Sequence, residues 1–392
     1  MNCEETQLSE ILIQQMKKQG FEELTAIQEK CIPEILRGRD LVGQAETGSG
    51  KTLAFSLPIL NNIRIRQGIQ ALILTPTREL CVQVSTVLAE FGKKMDIHIT
   101  SIFGGVNIGP QIQNLRTSEI VVGTPGRILD HVRRKTIDLS KINILVLDET
   151  DKMFEMGFID DVEEIIKWIP NHHQTLMFSA TLSSEIQRII HQHLQHPCIV
   201  RTRSYVDHRK LKQIYYDIYP QNNKFSLLVH LLKNNTSGLA IVFCSTRRES
   251  DVVAKNLRHH GIKVSKIHGG MGQQKRLQSL TALKNENVDV LVATDVAARG
   301  LDIKNVTHIY NYDVPKTATE YVHRIGRTAR AGAYGSAITL LTERDYDNFR
   351  RIQSDIDLNI ERAELPDFRK VSFIRQFEKQ FYSSVQRRSC IQ

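Results

Sequence analysis

Eight consecutive residues, Ala45-Glu46-Thr47-Gly48-Ser49-Gly50-Lys51-Thr52, constrain what this chain can fold into more than any other stretch. Before them Asp40-Leu-Val-Gly-Gln44 reads as a short buried strand, and after them Leu53-Ala-Phe-Ser-Leu57 reads as the apolar face of a helix. A glycine-rich turn between strand and helix is the setting a phosphate cradle needs. Gly48 and Gly50 permit backbone angles that other residues avoid, so several N–H groups can converge at the positive end of the helix. Lys51 would then meet the outer phosphates and the Thr52 hydroxyl a magnesium ion. Ala45 stands where the strict cradle pattern has glycine, and a plain glycine-rich turn with an incidental lysine is the alternative.

At 392 residues the chain is too long for one ordinary core, which predicts about two domains. Its 41% hydrophobic and 24% charged residues are those of a folded, water-soluble protein. No run of about 18 apolar residues occurs, and Met1-Asn-Cys-Glu-Glu-Thr-Gln7 lacks the basic start and apolar middle of a secretory signal. The expectation is no membrane partner and a cytoplasmic location, or a nuclear one in a eukaryotic cell. Cys3, Cys31, Cys81, Cys198, Cys244 and Cys390 are scattered without paired spacing, which argues against a disulfide framework or structural zinc. A formal charge of +9 favours a polyanionic partner, although solvated lysines alone would give the same sum.

Strands and helices alternate along both halves. Ala71–Thr75, Ile99–Phe103, Glu119–Val122, Ile142–Leu147 and Thr175–Phe178 are short apolar runs separated by helical stretches such as Arg78–Lys93 and Asp160–Trp168. A helix over Thr25–Leu36 is interrupted at Pro33 and resumes. The pattern lapses over 197–213, placing a linker at 203–213, and restarts at Ile214–Ile218, Leu239–Phe243, Lys263–Ile267, Val288–Val292, His308–Tyr310 and Ala337–Leu341. The predicted fold class is α/β, with two tandem domains over 1–202 and 214–368, each a mostly parallel sheet covered by helices. Residues 369–392 form a basic tail, either a helix or a frayed end. Only the first half has a glycine-lysine cradle, so one nucleotide site would serve two domains.

The Ile142–Leu147 strand runs straight into Asp148-Glu149-Thr150-Asp151. An apolar strand delivering adjacent carboxylates to the carboxyl edge of a parallel sheet completes a magnesium–phosphate site: Asp148 serves the ion and Glu149 the attacking water. The alternative, a solvated strand end, loses weight beside the upstream cradle.

These motifs together resemble those of the DEAD-box RNA helicases of superfamily two, from about Gly20 to Thr342 and in that family's order. The resemblance implies two RecA-like domains, ATP and magnesium as cofactors, and RNA as partner. Phe21 and Gln28 resemble the adenine-reading glutamine motif, with Leu24 in place of a proline; the glutamine amide offers a donor and an acceptor to adenine. Ala45, Thr47, Gly48, Ser49, Gly50, Lys51, Thr52 and Asp302 are implied nucleotide contacts. Pro76-Thr77-Arg78, Gly104-Gly105, Thr124-Pro125 and Arg127 resemble RNA contacts of the first domain, and Thr246, Arg247, Gln273, Arg276 and Thr294 those of the second. Asp151, Ser179, Thr181 and His323 resemble a coupling set, in which the Ser179 and Thr181 hydroxyls bond to Asp151. Arg327 and Arg330, at i and i+3, would share one helical face as arginine fingers, with Arg324 on a solvated face.

Two departures from the family pattern stand out. The box carries Thr150 where the family has alanine, which is expected to leave hydrolysis intact, and Ala329 stands where the family usually has glycine. The expected function is ATP-dependent unwinding or remodelling of RNA by a monomer, with possible protein partners supplying specificity. The alternatives are an ATP-gated RNA clamp that turns over slowly and, more weakly, a DNA translocase. The basic tail reads equally as an RNA grip or a disordered end.

Overall fold

The computed structural model of the chain describes residues 3–45, 48–202, 210–285, 287–298, 303, 305–329, 334–355 and 360–375. The first domain opens with helices α1 (Glu10–Lys18) and α2 (Ala26–Leu36), then β1 (Leu41–Gln44), α3 (Lys51–Asn62), β2 (Ala71–Leu74) and α4 (Arg78–Gly92). It continues with β3 (Ile99–Ile102), α5 (Ile108–Leu115), β4 (Ile120–Gly123), α6 (Pro125–Arg133) and β5 (Ile144–Leu147). Helices α7 (Thr150–Glu155) and α8 (Ile159–Ile166), β6 (Gln174–Ser179), α9 (Ser184–His193) and β7 (Cys198–Arg201) complete it. The second domain runs β8 (Leu211–Asp217), α10 (Lys224–Asn234), β9 (Leu239–Phe243), α11 (Arg247–His259), β10 (Val264–Ile267), α12 (Gln273–Lys284) and β11 (Val290–Ala293). Helix α13 (Asp295–Ala298), β12 (Val306–Asn311), α14 (Ala318–Ile325), β13 (Gly335–Leu341), α15 (Tyr346–Asp355) and β14 (Glu361–Ala363) follow.

Each domain is a seven-stranded sheet, ordered β3-β4-β2-β5-β6-β1-β7 in the first and β10-β11-β9-β12-β13-β8-β14 in the second. The strand pairings in both are parallel. The short apolar runs follow from burial on both faces. In β5, Ile144 and Val146 pack with Phe55 and Leu88 on one side, while Leu145 and Leu147 pack with Met153 and Val162 on the other. In β9, Ile241 and Phe243 face one core and Ala240 and Val242 the second. Each such fully buried aliphatic side chain contributes about 1.5–3 kcal/mol. Among the described residues no helix is long and apolar enough to cross a membrane.

Several elements differ from the sequence expectation. Helix α2 is continuous through Pro33, which lies inside it. The short edge strand β7, read as part of the lapse into a linker, pairs with β1, and β8 starts at Leu211 rather than Ile214. The chain after β14 is neither a helix nor a frayed end as far as Ile374. Phe368, Val371 and Phe373 pack against the second core, and Asn256 clamps the Ile374 main chain with two hydrogen bonds of 2.9 Å. Basic residues hid three apolar anchors at irregular spacing. The rest of the expected tail, 376–392, lies outside the described residues.

Candidate active site

Strand β1 delivers the glycine-rich loop to the carboxyl edge of the first sheet, where Ala45 N–H donates to the Ser179 carbonyl (3.0 Å). Gly48 and Gly50 have φ of 88° and 97°, a left-handed conformation suited to glycine, and Gly50 caps α3. A Cβ on Gly50 would lie 2.5 Å from Gln28 Nε2, so the position excludes side chains on contact as well. Gln28 ties the loop to the α2 entry: its Oε1 accepts from Thr25 N–H (3.0 Å) and its Nε2 donates to the Gly50 carbonyl (3.2 Å). Phe21 packs on Phe91 beside it. Lys51 is buried and donates to the Ala45 carbonyl (2.7 Å). Thr47 lies outside the described residues; Ser49 is buried, and Thr52 lines the cleft.

Strand β5 ends on the carboxylates, and both are buried. Asp148 N–H donates to the Leu74 carbonyl (3.0 Å), and Glu149 sits at φ 53°, ψ 50° where strand turns into α7. Burial pushes the Asp148 carboxyl up, to about 7, against the pull of Lys51. Burial acts on Glu149 too, but Lys152, Lys51 and Arg327 outweigh it and bring that carboxyl down to about 2. Among the described residues, Asp148 Oδ1 is buried without a hydrogen-bond partner. Such an orphaned carboxylate oxygen beside the Thr52 side of the loop fits a magnesium ion. The Thr150 hydroxyl donates to the Leu147 and Phe178 carbonyls (3.2 and 3.3 Å), so the extra polar group is satisfied between β5 and β6. It occupies the first turn of α7 rather than a strand.

Asp151 meets the Ser179–Thr181 turn, but through atoms other than those expected. Asp151 Oδ2 accepts from the main-chain N–H of Ala180 and Thr181 (3.1 and 3.3 Å), while the Ser179 hydroxyl donates to the Thr181 carbonyl (2.7 Å). The expected hydroxyl bonds to Asp151 are therefore replaced by backbone donors, because the turn after β6 aims its own N–H groups at the carboxylate.

From the second domain, α14 ends at Ile325, so Arg327 lies beyond the helix. Arg327 is buried, donates from Nε to the His323 carbonyl (3.3 Å), and stands close enough to bear on the charges of Glu149 and Lys152. Arg330 and Asp302 lie outside the described residues. Arg324, expected on a solvated face, is 2% exposed. It grips Asp295 with two donors (2.5 and 2.7 Å) and donates to the Asp313 carbonyl (2.6 Å), stacking over Phe243. Ala329 has φ 54°, so the departure from glycine falls at a left-handed position.

The remaining motif residues line the carboxyl edges of β2, β3 and β4 and of β9, β10 and β11. Thr77, after Pro76, caps α4, Thr246 caps α11, and Thr124 with Pro125 opens α6. Arg78 lies against Gly104 and Gly105, and Arg247 against Gly269 and Gly270. Arg127 donates to the Val106 carbonyl (3.3 Å), and Thr294 N–H to that of Ile267 (3.2 Å). Gln273 and Arg276 reach across to the first domain. Glu79, 2% exposed, accepts from Gln273 Nε2 (3.0 Å) and pairs with Arg276 Nη2 (2.9 Å). Neither Glu79 nor Lys152 was among the candidate residues. Glu79 directly follows the Pro76-Thr77-Arg78 stretch, but its partner is 194 positions away. Between the domains lies a cleft of about 1370 Å³, lined by Phe21, Gln28, Lys51, Asp148 and Glu149 on one side and Leu280, Ile303 and Asn305 on the other.

Residues 25–189 match the DEAD/DEAH box helicase family and residues 223–332 the helicase conserved C-terminal domain. The chain is 44% identical to the ATP-dependent RNA helicase CshA of Limosilactobacillus reuteri, over 90% of this chain and 71% of that protein. It is also 44% identical to the DEAD-box ATP-dependent RNA helicase CshA of Bacillus licheniformis, over 92% and 74% respectively. Among solved structures it is similar to S. cerevisiae Dbp5 bound to RNA and ADP BeF3, with a TM-score of 0.84 at 31% identity, covering 92% of this chain and 95% of that one.

Proposed function

Because the chain belongs to the DEAD-box family of ATP-dependent RNA helicases, we propose that it hydrolyses ATP in the cleft and uses domain closure to separate or remodel short RNA duplexes. The observation that carries this reading is the Glu79 contact with Gln273 and Arg276, which joins the two RNA-facing edges while Arg327 stands at Glu149. Nucleotide chemistry and RNA binding are thereby linked by one rigid-body closure.

Phe21 and Gln28 would hold adenine, Asp302 the ribose, and the loop from Ala45 to Thr52, with Lys51, the phosphates. Glu149 orients the attacking water and takes its proton. The water oxygen bonds to the γ-phosphorus, and the bond to the β-bridging oxygen breaks, its electron pair leaving with ADP. Arg327, with Arg330, offsets the charge on the transferring group. Thr52 and Asp148 would hold magnesium, which supplies charge neutralisation on the phosphates when bound. Asp151, tied to the Ser179–Thr181 turn, and His323, whose carbonyl holds Arg327, couple this state to the RNA edges. Thr77, Arg78, Gly104, Gly105, Thr124 and Arg127, with Thr246, Arg247 and Thr294, would bind phosphate and sugar. Binding is then sequence-tolerant and weakened by salt. One chain supplies both walls of the cleft, which supports action as a monomer; the bacterial relatives support a cytoplasmic location, and protein partners would supply the choice of RNA.

Steady-state ATP hydrolysis with and without single-stranded RNA or DNA of equal length tests the reading, with Glu149→Gln as the blank. RNA is expected to stimulate and DNA not. Equal rates without nucleic acid would remove the RNA assignment.

A further inference from the structure

Lys152 belongs to none of the steps above, yet it touches the residue that handles the attacking water. Its Nζ lies 2.6 Å from Glu149 Oε1, with the two side chains 2% and 4% exposed. An ammonium buried this deeply is retained only where a counter-charge meets it, and Glu149 is that charge. The two residues are i and i+3 at the entry to α7, so the contact is internal to the first domain and needs neither nucleotide nor closure.

The other cations near Glu149 are differently placed. Lys51 spends its hydrogen bond on the Ala45 carbonyl and is positioned for the phosphates, and Arg327 arrives from the other domain. Lys152 is tied to the coupling turn through Asp151. Its main-chain N–H donates to Asp151 Oδ1 (3.1 Å), and the other oxygen of Asp151 accepts from Ala180 and Thr181. A continuous chain therefore runs from the β6 turn through Asp151 and the backbone of Lys152 to the Glu149 carboxylate.

We propose that Lys152 is a positioning residue for ATP hydrolysis: its ion pair holds the Glu149 carboxylate in the orientation that receives the water, and hands the placement of the β6 turn to that carboxylate. This rests on the reading of Glu149 given above.

The test compares Lys152→Met, which keeps length and removes charge, with Lys152→Arg, which keeps charge, in the full chain. The readouts are RNA-stimulated ATP hydrolysis, affinity for a fluorescent ADP, and thermal melting. Lys152→Met is expected to lower kcat at least tenfold, roughly, with KM for ATP and ADP affinity within about twofold of wild type. Lys152→Arg should recover most of the loss. A wild-type kcat with a lowered melting temperature would reduce Lys152 to a structural ion pair, and a raised kcat would make it a brake; either overturns the proposal. A parallel loss of ADP affinity in Lys152→Met would also overturn it. If Lys152→Met does not fold, Lys152→Gln against Lys152→Arg is judged by the same ratio. Glu149→Gln separates the two readings: full activity there removes the role of Glu149 itself, whereas an inactive Glu149→Gln beside a normal Lys152→Met removes only that of Lys152.

Discussion

The two domains repeat one sheet, strand for strand, and differ in what they do with the same charged positions. Position by position, β8 answers to β1, α10 to α3 and β12 to β5. Helix α3 begins with buried Lys51 and α10 with buried Lys224; β5 leads into Asp148, and β12 is followed within two residues by Asp313. In the first domain Lys51 donates to a loop carbonyl, and among the described residues Asp148 Oδ1 has no hydrogen-bond partner. In the second, Lys224 Nζ lies 3.1 Å from Asp345 and 3.9 Å from Asp313, while Arg344 closes on Asp313 at 3.0 Å and Ser245 N–H donates to it at 2.8 Å. The loop after β8 also lacks glycine. A scaffold position becomes a ligand site when its charges are left for a ligand to satisfy. It becomes a staple when the chain satisfies them itself.

Removing the two lysines should separate these fates most sharply. Lys51→Ala is expected to lower RNA-stimulated hydrolysis by about 10²–10³ with little change in stability. Lys224→Met should instead cost about 3 kcal/mol of stability by removing the buried cation between Asp345 and Asp313, at preserved ADP affinity in the folded protein. Nucleotide titrations and denaturant unfolding read both, and loss of ADP affinity in folded Lys224→Met would break the comparison. Next comes the bond between domains. Glu79→Ala leaves Gln273 and Arg276 without their shared acceptor and should lower RNA stimulation by about tenfold, while basal ADP affinity stays put.

A smaller effect is expected at Ala329, whose left-handed backbone costs about 1–2 kcal/mol for a residue with a Cβ. Ala329→Gly should stabilise the second domain by about 0.5–1 kcal/mol once the extra freedom of the unfolded glycine is counted. No gain in the denaturant midpoint would mean that the neighbouring chain relaxes the strain already. The smallest concerns His131 of the first domain, buried between Thr136 and Gln111. Burial holds its imidazole below the usual value, so the unfolded chain takes up the proton first. Stability is complete above a pH of about 6.5 and declines as pH falls through the lower folded value. His131→Gln should flatten that slope in a pH series of unfolding curves.

What could be read from the residues alone was local. Apolar runs such as Ala71–Leu74 and Ile144–Leu147 announced strands buried on both faces, and the loop around Gly48 and Gly50 with the Asp148–Asp151 box announced the chemistry. Strands β7 and β14 escaped because they are only four and three residues long, β7 inside the polar, basic stretch after Pro197 and β14 with the polar sequence Glu-Arg-Ala, too short to show a period. Arg324 read as solvated because its partners Asp295 and Asp313 are set by other strands.

The sequence by itself therefore determined the two-domain parallel architecture, the nucleotide loop and the carboxylates, since each depends on periodicity or on residues adjacent in the chain. Only the tertiary structure decided which donors reach Asp151, that Glu79 joins the domains, that Lys152 pairs with Glu149 below the surface, and that Lys224 closes the second domain's copy of it. Those outcomes turn on burial and on distances between remote segments, which set whether a charge is left open to a ligand or consumed by the fold.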